Sequence, residues 1–208
     1  MFDVQFAVKT MKLIITQGIP VSFYILFFTL LISLPLGFLV GLARFKRVPV
    51  LSQILGVLVS FFRGTPLIVL IFLVYSAFPD FVNNLVQNMG LDIPVYDILL
   101  GNIKMYAVGI CSSFTTATLS EVFRSSLTAV NPNQLEAAHS VGLSTFQAYI
   151  HIIIPQALVS AIPNIANDVV GLFKGTSLIF YMGVQDIMGV AKTQAGRPMP
   201  MWRPMWMC

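Results

Sequence analysis

Charge is what this chain has least of. Lys, Arg, Asp and Glu together make up 10% of its 208 residues, whereas 57% are hydrophobic. That balance argues against a water-soluble domain. The formal excess of +4 comes from loop Lys and Arg. No basic stripe with interleaved aromatics is present, so nucleic acid is not an expected partner. Cysteine is nearly absent: Cys111 lies in an apolar run and Cys208 at the very end, which makes no disulfide framework. The two histidines, His139 and His151, fall in or beside one polar segment. An intramembrane hydrolase would therefore lack a base within the bilayer, and no catalytic, metal or cofactor site is expected. No Walker motif occurs, and Lys174-Gly175-Thr176 has the wrong order for one. The start, MFDVQFAVKTMK, has no small-residue cleavage site after a short apolar core, so no removable signal peptide is expected. Nor is there the inverted internal repeat of broken helices that a secondary transporter would show.

What the chain has in quantity is long uncharged sequence, which predicts an all-α integral membrane protein with about four spans. The first expected span runs from Ile19 to Ala43, bent by Pro35 and Gly37. Arg44, Lys46 and Arg47 follow at once, placing that loop in the cytoplasm and the N-terminus outside, against a weaker contrary signal from Lys9 and Lys12. The second span, Leu51 to Phe78, contains Arg63-Gly64-Thr65-Pro66-Leu67. Gly64 and Pro66 break its hydrogen-bond ladder. Arg63 either snorkels to the headgroups or serves as an ion-pair or pathway residue in the bundle. Pro79 to Asp97, with Asp80, Asp92 and Asp97 and no basic residue, is expected as an outer loop. The third span, Ile98 to Val122, carries Ser112, Ser113, Thr115, Thr116, Ala117 and Ser120, small residues that allow close helix approach. It ends in Glu121 and Arg124, three apart on one face; the partner of Glu121 is Arg124 or Arg63. The fourth span, Ile150 to Phe173, is bent by Pro163 and carries Asn164, Asn167 and Asp168. Asp168 is either satisfied by those amides or lines a path. Ser177 to Val190 fits a re-entrant or outer-face helix.

Between the third and fourth spans lies NPNQLEAAHSVGLSTFQAYIHIIIP, Asn131 to Pro155. Asn131 suits an N-cap with Pro132 at the first helical position. Gly142 suits a helix stop, and Ser144 with Gln147 a capping box that opens the next helix. A helix of about three turns, too short to cross a bilayer, is thus expected between two breaks as a docking element.

The residues within it carry a resemblance. Glu136-Ala137-Ala138, Gly142 after three residues, then Ile152-x-Ile154-Pro155 after nine more, resembles the EAA loop of ABC importer membrane subunits, with Ile154 for the usual Leu. The RGTPL run from Arg63 to Leu67 resembles the polar-amino-acid, histidine-permease-like branch, as does Glu121-x-x-Arg124. Lys174-Gly-Thr-Ser-Leu178 is similar to that branch's K-D-T-S-L, with Gly175 in place of Asp.

The resemblance, from about Thr16 to Arg197, implies a type-I importer permease bundle of a bacterial inner membrane. It implies a permease domain over 17–197, with four spans and a cytoplasmic coupling helix where the family usually has five spans. The implied function is the membrane subunit of an ATP-driven amino-acid importer, none of whose chemistry is bond-making. The implied partners are a cytoplasmic ATP-binding subunit, a second permease (identical or sister), an extracytoplasmic amino-acid-binding protein and membrane lipid. Glu136, Ala137, Ala138, Gly142, Ile152 and Pro155 would hold the ATPase contact. Arg63, Glu121, Arg124, Asp168 and Lys174 would be pathway or bundle charges. After Arg197 the sequence turns into a tail, 198–208, rich in Met, Trp and Pro. That shift, with no fifth span, leads us to expect a subunit that stops short, whether a truncated, non-functional copy or a short variant.

Overall fold

The computed structural model describes residues 4–91 and 93–196, all in helices and their connections, with no strand among them. Asp92, Arg197 and the 198–208 tail, including Arg203, lie outside the described residues.

The chain opens with α1 (Val4–Leu13), a π-turn at Ile14–Gly18, and α2 (Ile19–Phe45), which together form one helical rod. The rod begins well before the expected start of the first span. A second π-turn, Tyr149–Ile153, joins α8 (Thr145–Ala148) to α9 (Ile154–Gly175). Both wide turns have one cause. Pro20 and Pro155 follow them closely, and a proline ring collides with the carbonyl four residues back, so the turn there opens.

The expected second span is two helices, α3 (Leu51–Gly64) and α4 (Leu67–Asn88). The break falls at Thr65 and Pro66, where proline has no N–H to donate. Thr65 Oγ1 and N both donate to the Phe61 carbonyl, at 2.8 and 3.1 Å, and so close the last turn of α3. Most of the expected outer loop is helical too, because α4 carries on through a buried Pro79 to Asn88. Its later polar residues sit on an exposed helix. A short α5 (Val95–Leu100) then leads to α6 (Ile103–Ala129). That helix starts five residues later than expected, where Asn102 Oδ1 accepts from the Met105 amide at 3.3 Å.

Gln5–Phe45, Leu67–Asn88 and Thr145–Met182 are long and apolar enough to cross a membrane. Their number is three. The expected third span, α6, is not among them, although its 27 residues rise about 40 Å at 1.5 Å each. Its Ser and Thr dilute its hydropathy because they face protein: Ser112, Thr115, Ser120 and Ser126 are all buried. α6 is the central helix, between α2 and α9.

The α2–α6 seam is very close. Along α2 the buried residues Ile25, Thr29, Ser33, Gly37 and Gly41 recur every fourth position and form one small-residue stripe. A Cβ on Gly37 would stand 2.9 Å from Leu119 Cβ, and one on Gly41 2.6 Å from the Ser120 carbonyl oxygen. Gly37 is thus a close-contact residue inside a continuous helix.

Past α9, a 3₁₀ turn (Thr176–Met182) and Gly183, at φ +84°, reverse the chain into α10 (Ile187–Ala195). The fully buried Asp186 caps α10 through Oδ1, which accepts from the Gly189 amide at 2.7 Å. α10 folds back on the start of the first rod, where the Ile187 amide donates to Ser22 Oγ. The segment expected as a re-entrant or outer-face helix thus forms a 3₁₀ turn and a short helix packed against the N-terminal rod.

Candidate functional site

Two regions gather the residues singled out in the sequence. The first is the elbow between α6 and α9. Asn131 Oδ1 accepts from the Asn133 amide at 3.0 Å and opens α7 (Asn133–Ser140). At eight residues α7 is two turns rather than three. Gly142 adopts φ +84°, a conformation a side chain strains against, while the Leu143 amide returns to the Ala138 carbonyl at 3.1 Å. Ser144 and Gln147 then form the reciprocal capping box of α8.

The elbow has two faces. Ala138, Ala148 and Ile153 are buried against the bundle. There Leu127, Ile153 and Ala157 form a cluster with Leu42, Phe45, Leu135 and Tyr149 around it. Glu136 and Ala137 look outward. So do Val141 and Phe146, at 75% and 74% exposure, large apolar side chains on an otherwise polar segment. Ile152 is half-buried and Pro155 exposed at the root of α9. Val141 and Phe146 were not among the residues picked from the sequence. Their signal was legible: each is an isolated apolar residue beside a cap.

The second region holds the charges. Glu121 is shared between two arginines. Its Oε2 accepts from Arg44 Nη1 at 2.6 Å, and its Oε1 from Arg124 Nε at 2.9 Å and from Arg124 Nη2. Of the two expected partners the structure selects Arg124 and adds Arg44, which the sequence reading had left in a loop. Arg63 takes part in neither ion pair. It lines a cleft of about 350 Å³ with Glu121, Asn164, Asn167 and Asp168, between α3, α6 and α9. Asp168 Oδ2 is buried there with no hydrogen-bond partner among the described residues, so the neighbouring amides do not satisfy it. Lys174 is exposed and, among the described residues, in neither ion pair. A Cβ on Gly175 would stand 3.0 Å from Leu67 Cδ2, the mobile end of a side chain. No group of three or more His, Cys, Asp or Glu that could hold a metal ion occurs among the described residues.

The comparisons with known proteins bear on the family and the fold. The family of binding-protein-dependent transport system inner membrane components matches residues 33–203. The chain is similar to the L-cystine transport system permease protein TcyL of Bacillus subtilis strain 168. The two are 37% identical over 179 residues, which cover 86% of this chain and 71% of that one. It is also similar to the probable amino-acid permease protein YxeN of the same organism, at 33% identity over 93% of this chain and 80% of the relative. Among solved structures, a crystal structure of an amino acid ABC transporter with histidines superposes with a TM-score of 0.74. At 24% identity, over 93% of this chain and 82% of that one, it bears on the fold.

Proposed function

The chain belongs to the binding-protein-dependent transport system inner membrane components and is a permease subunit of an ABC importer; we propose that its cargo is an amino acid and that its ATPase docks on the α7–α8 elbow. Relatives named for L-cystine, amino-acid and glutamine transport support the cargo class. In this reading the permease domain covers 17–197 of a multi-pass protein in a bacterial inner membrane. Its N-terminus is outside and the elbow cytoplasmic, the side that Arg44, Lys46 and Arg47 favour. A second permease subunit completes the pathway, and an extracytoplasmic binding protein delivers the amino acid.

The observation that carries the docking assignment is the elbow's outer face. Val141 and Phe146 leave large apolar surface unburied on the same elbow as the exposed Glu136. A protein partner with an apolar pocket and a basic rim would cover that surface, and apolar anchors of this kind dominate interface energetics. Ala137 lets the partner's backbone approach, and Gly142 and Pro155 set the angles at which the chain leaves the contact.

The cleft between Arg63 and Asp168 is the proposed wall of the pathway. A zwitterionic amino acid carries both charges that these two groups complement, and an unpartnered buried carboxylate oxygen is a receptive acceptor. Glu121, held by Arg44 and Arg124, contributes structure at the cytoplasmic end of the cleft, while Lys174 stands free at the other end of α9.

Co-purification tests the docking assignment. Glu136→Lys, Phe146→Ser and Gly142→Trp should each leave membrane insertion intact and reduce the amount of ATPase recovered with the permease. Undiminished recovery with all three variants would show that the contact lies elsewhere.

A further inference from the structure

The α2–α3 connection builds a second basic feature that the transport reading leaves unused. Arg44 at the end of α2, Arg47 in the loop and Arg124 on α6 converge on a cleft of about 410 Å³, whose far side is Ser52, Gln53 and Gly56 of α3. Three arginines line it, and the carboxylate beside two of them, Glu121, is spent on Arg44 and Arg124. Arg47 has no ion pair and no side-chain hydrogen bond among the described residues. Its backbone is held at φ +50°, with Val50 at φ +63° three residues on, both unusual for side chains bearing a Cβ. The remaining nearby cation, Lys46, is turned away over the Tyr149 ring, 5.0 Å from its centroid. The cleft is therefore a net-positive, partly enclosed site with one arginine free for a ligand.

Its continuation decides which anion it suits. One turn further along the same three helices, the basic cleft gives way to an apolar groove of about 370 Å³. Val40 of α2, Leu55 and Leu58 of α3, and Ala117 of α6 form its near end, and Ile32, Phe62 and Gly109 its far end. The outer face of α3 adds Leu51, Ile54, Val57 and Phe61, all exposed. A headgroup-sized basic mouth thus opens onto an apolar slot that runs up into the bilayer core. Free phosphate would leave the slot empty. A second copy of this chain in a two-fold contact here would bring like arginine clusters together, which disfavours it.

We infer that this cleft and groove bind one anionic phospholipid, its phosphate held by Arg44, Arg47 and Arg124 and an acyl chain lying along α3. Basic pockets between membrane helices on the cytoplasmic side suit anionic headgroups, and each arginine near the surface strengthens such binding roughly fivefold. Arg47 is the selective element, because the other two arginines also serve the fold through Glu121. The inference depends on the chain being a membrane protein and not on what it transports.

Native mass spectrometry of the full chain in mild detergent tests it. The chain is titrated with phosphatidylglycerol or phosphatidylcholine of matched acyl chains, with and without inorganic phosphate. One phosphatidylglycerol should be retained well above phosphatidylcholine. Arg47→Gln should weaken retention about fivefold, Arg47→Lys should restore most of it, and Leu58→Asn should weaken it through the groove. Thermal melting of each lipid-free variant checks that the fold is unchanged; both side chains are exposed, so no shift is expected. Equal retention of the two lipids, or unchanged retention in Arg47→Gln, would overturn the site. Displacement of phosphatidylglycerol by an equal concentration of inorganic phosphate would overturn its assignment to lipid.

Discussion

Replacing a helix-interior glycine by alanine stabilises an isolated helix by about 1 kcal/mol, so the sign of that substitution reports what surrounds the glycine. At Gly41 the sign should invert. A Cβ there would stand 2.6 Å from the Ser120 oxygen, 3.0 Å from Phe123 Cβ and 3.2 Å from the Arg124 amide nitrogen. None of these atoms can swing aside, since they are backbone or the first atom of a side chain. A comfortable contact needs about 3.5 Å, so α2 and α6 must part by nearly 1 Å along their tightest stretch. Overpacking of this kind costs about 1–3 kcal/mol. Taking the upper figure and subtracting the helix gain leaves a net loss of about 2 kcal/mol. For a chain this size that lowers the melting temperature by roughly 4–8 °C. Gly37→Ala, with contacts of 2.9 to 3.4 Å, should show a smaller loss. Gly56 and Gly171 are the internal controls: nothing lies within 4 Å of a Cβ at either. Alanine there should be neutral or raise the melting temperature by roughly 2–4 °C. Differential scanning fluorimetry of the four purified variants in one detergent reads the pattern. If Gly41→Ala melts as high as Gly56→Ala, α2 and α6 are not in close contact at Gly41.

The shared carboxylate predicts that Glu121→Gln lowers folded yield more than removal of either arginine, by about 3 kcal/mol, because two guanidinium groups lose their counter-charge at once. The Glu121→Arg/Arg44→Glu double reversal should regain part of the yield and the pairing of Glu121→Arg with Arg63→Glu none, measured by size-exclusion recovery; equal recovery would reinstate Arg63 as a partner. Tyr96, in the short α5 between the spans, donates to Asp80 near the end of α4, and that hydrogen bond, then desolvation and the Asp80 charge, raise the phenol above its ordinary value. The neutral phenol is the form favoured in the fold, so its contribution is full below the usual tyrosine range and is lost as pH rises through the raised value. Phenolate absorbance assigned to Tyr96 by difference against Tyr96→Phe should therefore titrate at lower pH after Asp80→Asn; an unchanged midpoint would remove the hydrogen bond as its cause.

Local signals in the sequence were legible and pair-wise ones were not. The caps of the elbow could be read because a left-handed glycine and a capping box each act within four residues. The break at Pro66 could be read for the same reason. The stripe Thr29, Ser33, Gly37, Gly41 was equally visible as a four-residue repeat, yet Pro35 inside it drew the interpretation toward a bend. Small residues noted on α6 needed that matching stripe to become a seam. Arg44 could not be paired with Glu121 from spacing, since 77 residues separate them. Only the parallel run of α2 and α6 brings their ends level. The polarity of α6 has the same origin, because burial between two other helices is a tertiary fact.

If the elbow receives the ATPase, its motion should reach the polar cleft, and the packing says by what route. The cluster beneath α7 joins Leu127 at the end of α6, Ile153 and Ala157 at the root of α9, and Phe45 at the end of α2, with Leu135 of α7 packed onto them. Phe45 and Lys46 both engage the Tyr149 ring. No residue of α3 belongs to that cluster, and α3 is tied to α2 through the strained 46–50 loop. A force on α7 would therefore act first on the ends of α2, α6 and α9, and on α3 only through its packing against α2 and α6. The cleft has Arg63 on α3 and Asp168 on α9, so its width is the distance such a stroke would change. Spin labels at positions 63 and 167, in a Cys111→Ser/Cys208→Ser background within the assembled transporter, measure that distance. Adding a non-hydrolysable ATP analogue should shift the distribution by several ångström, and Phe146→Ser should abolish the shift by uncoupling the elbow. A distance that stays fixed while labels on α7 report movement would mean that α3 travels with the bundle, and that the cleft is not opened from the elbow.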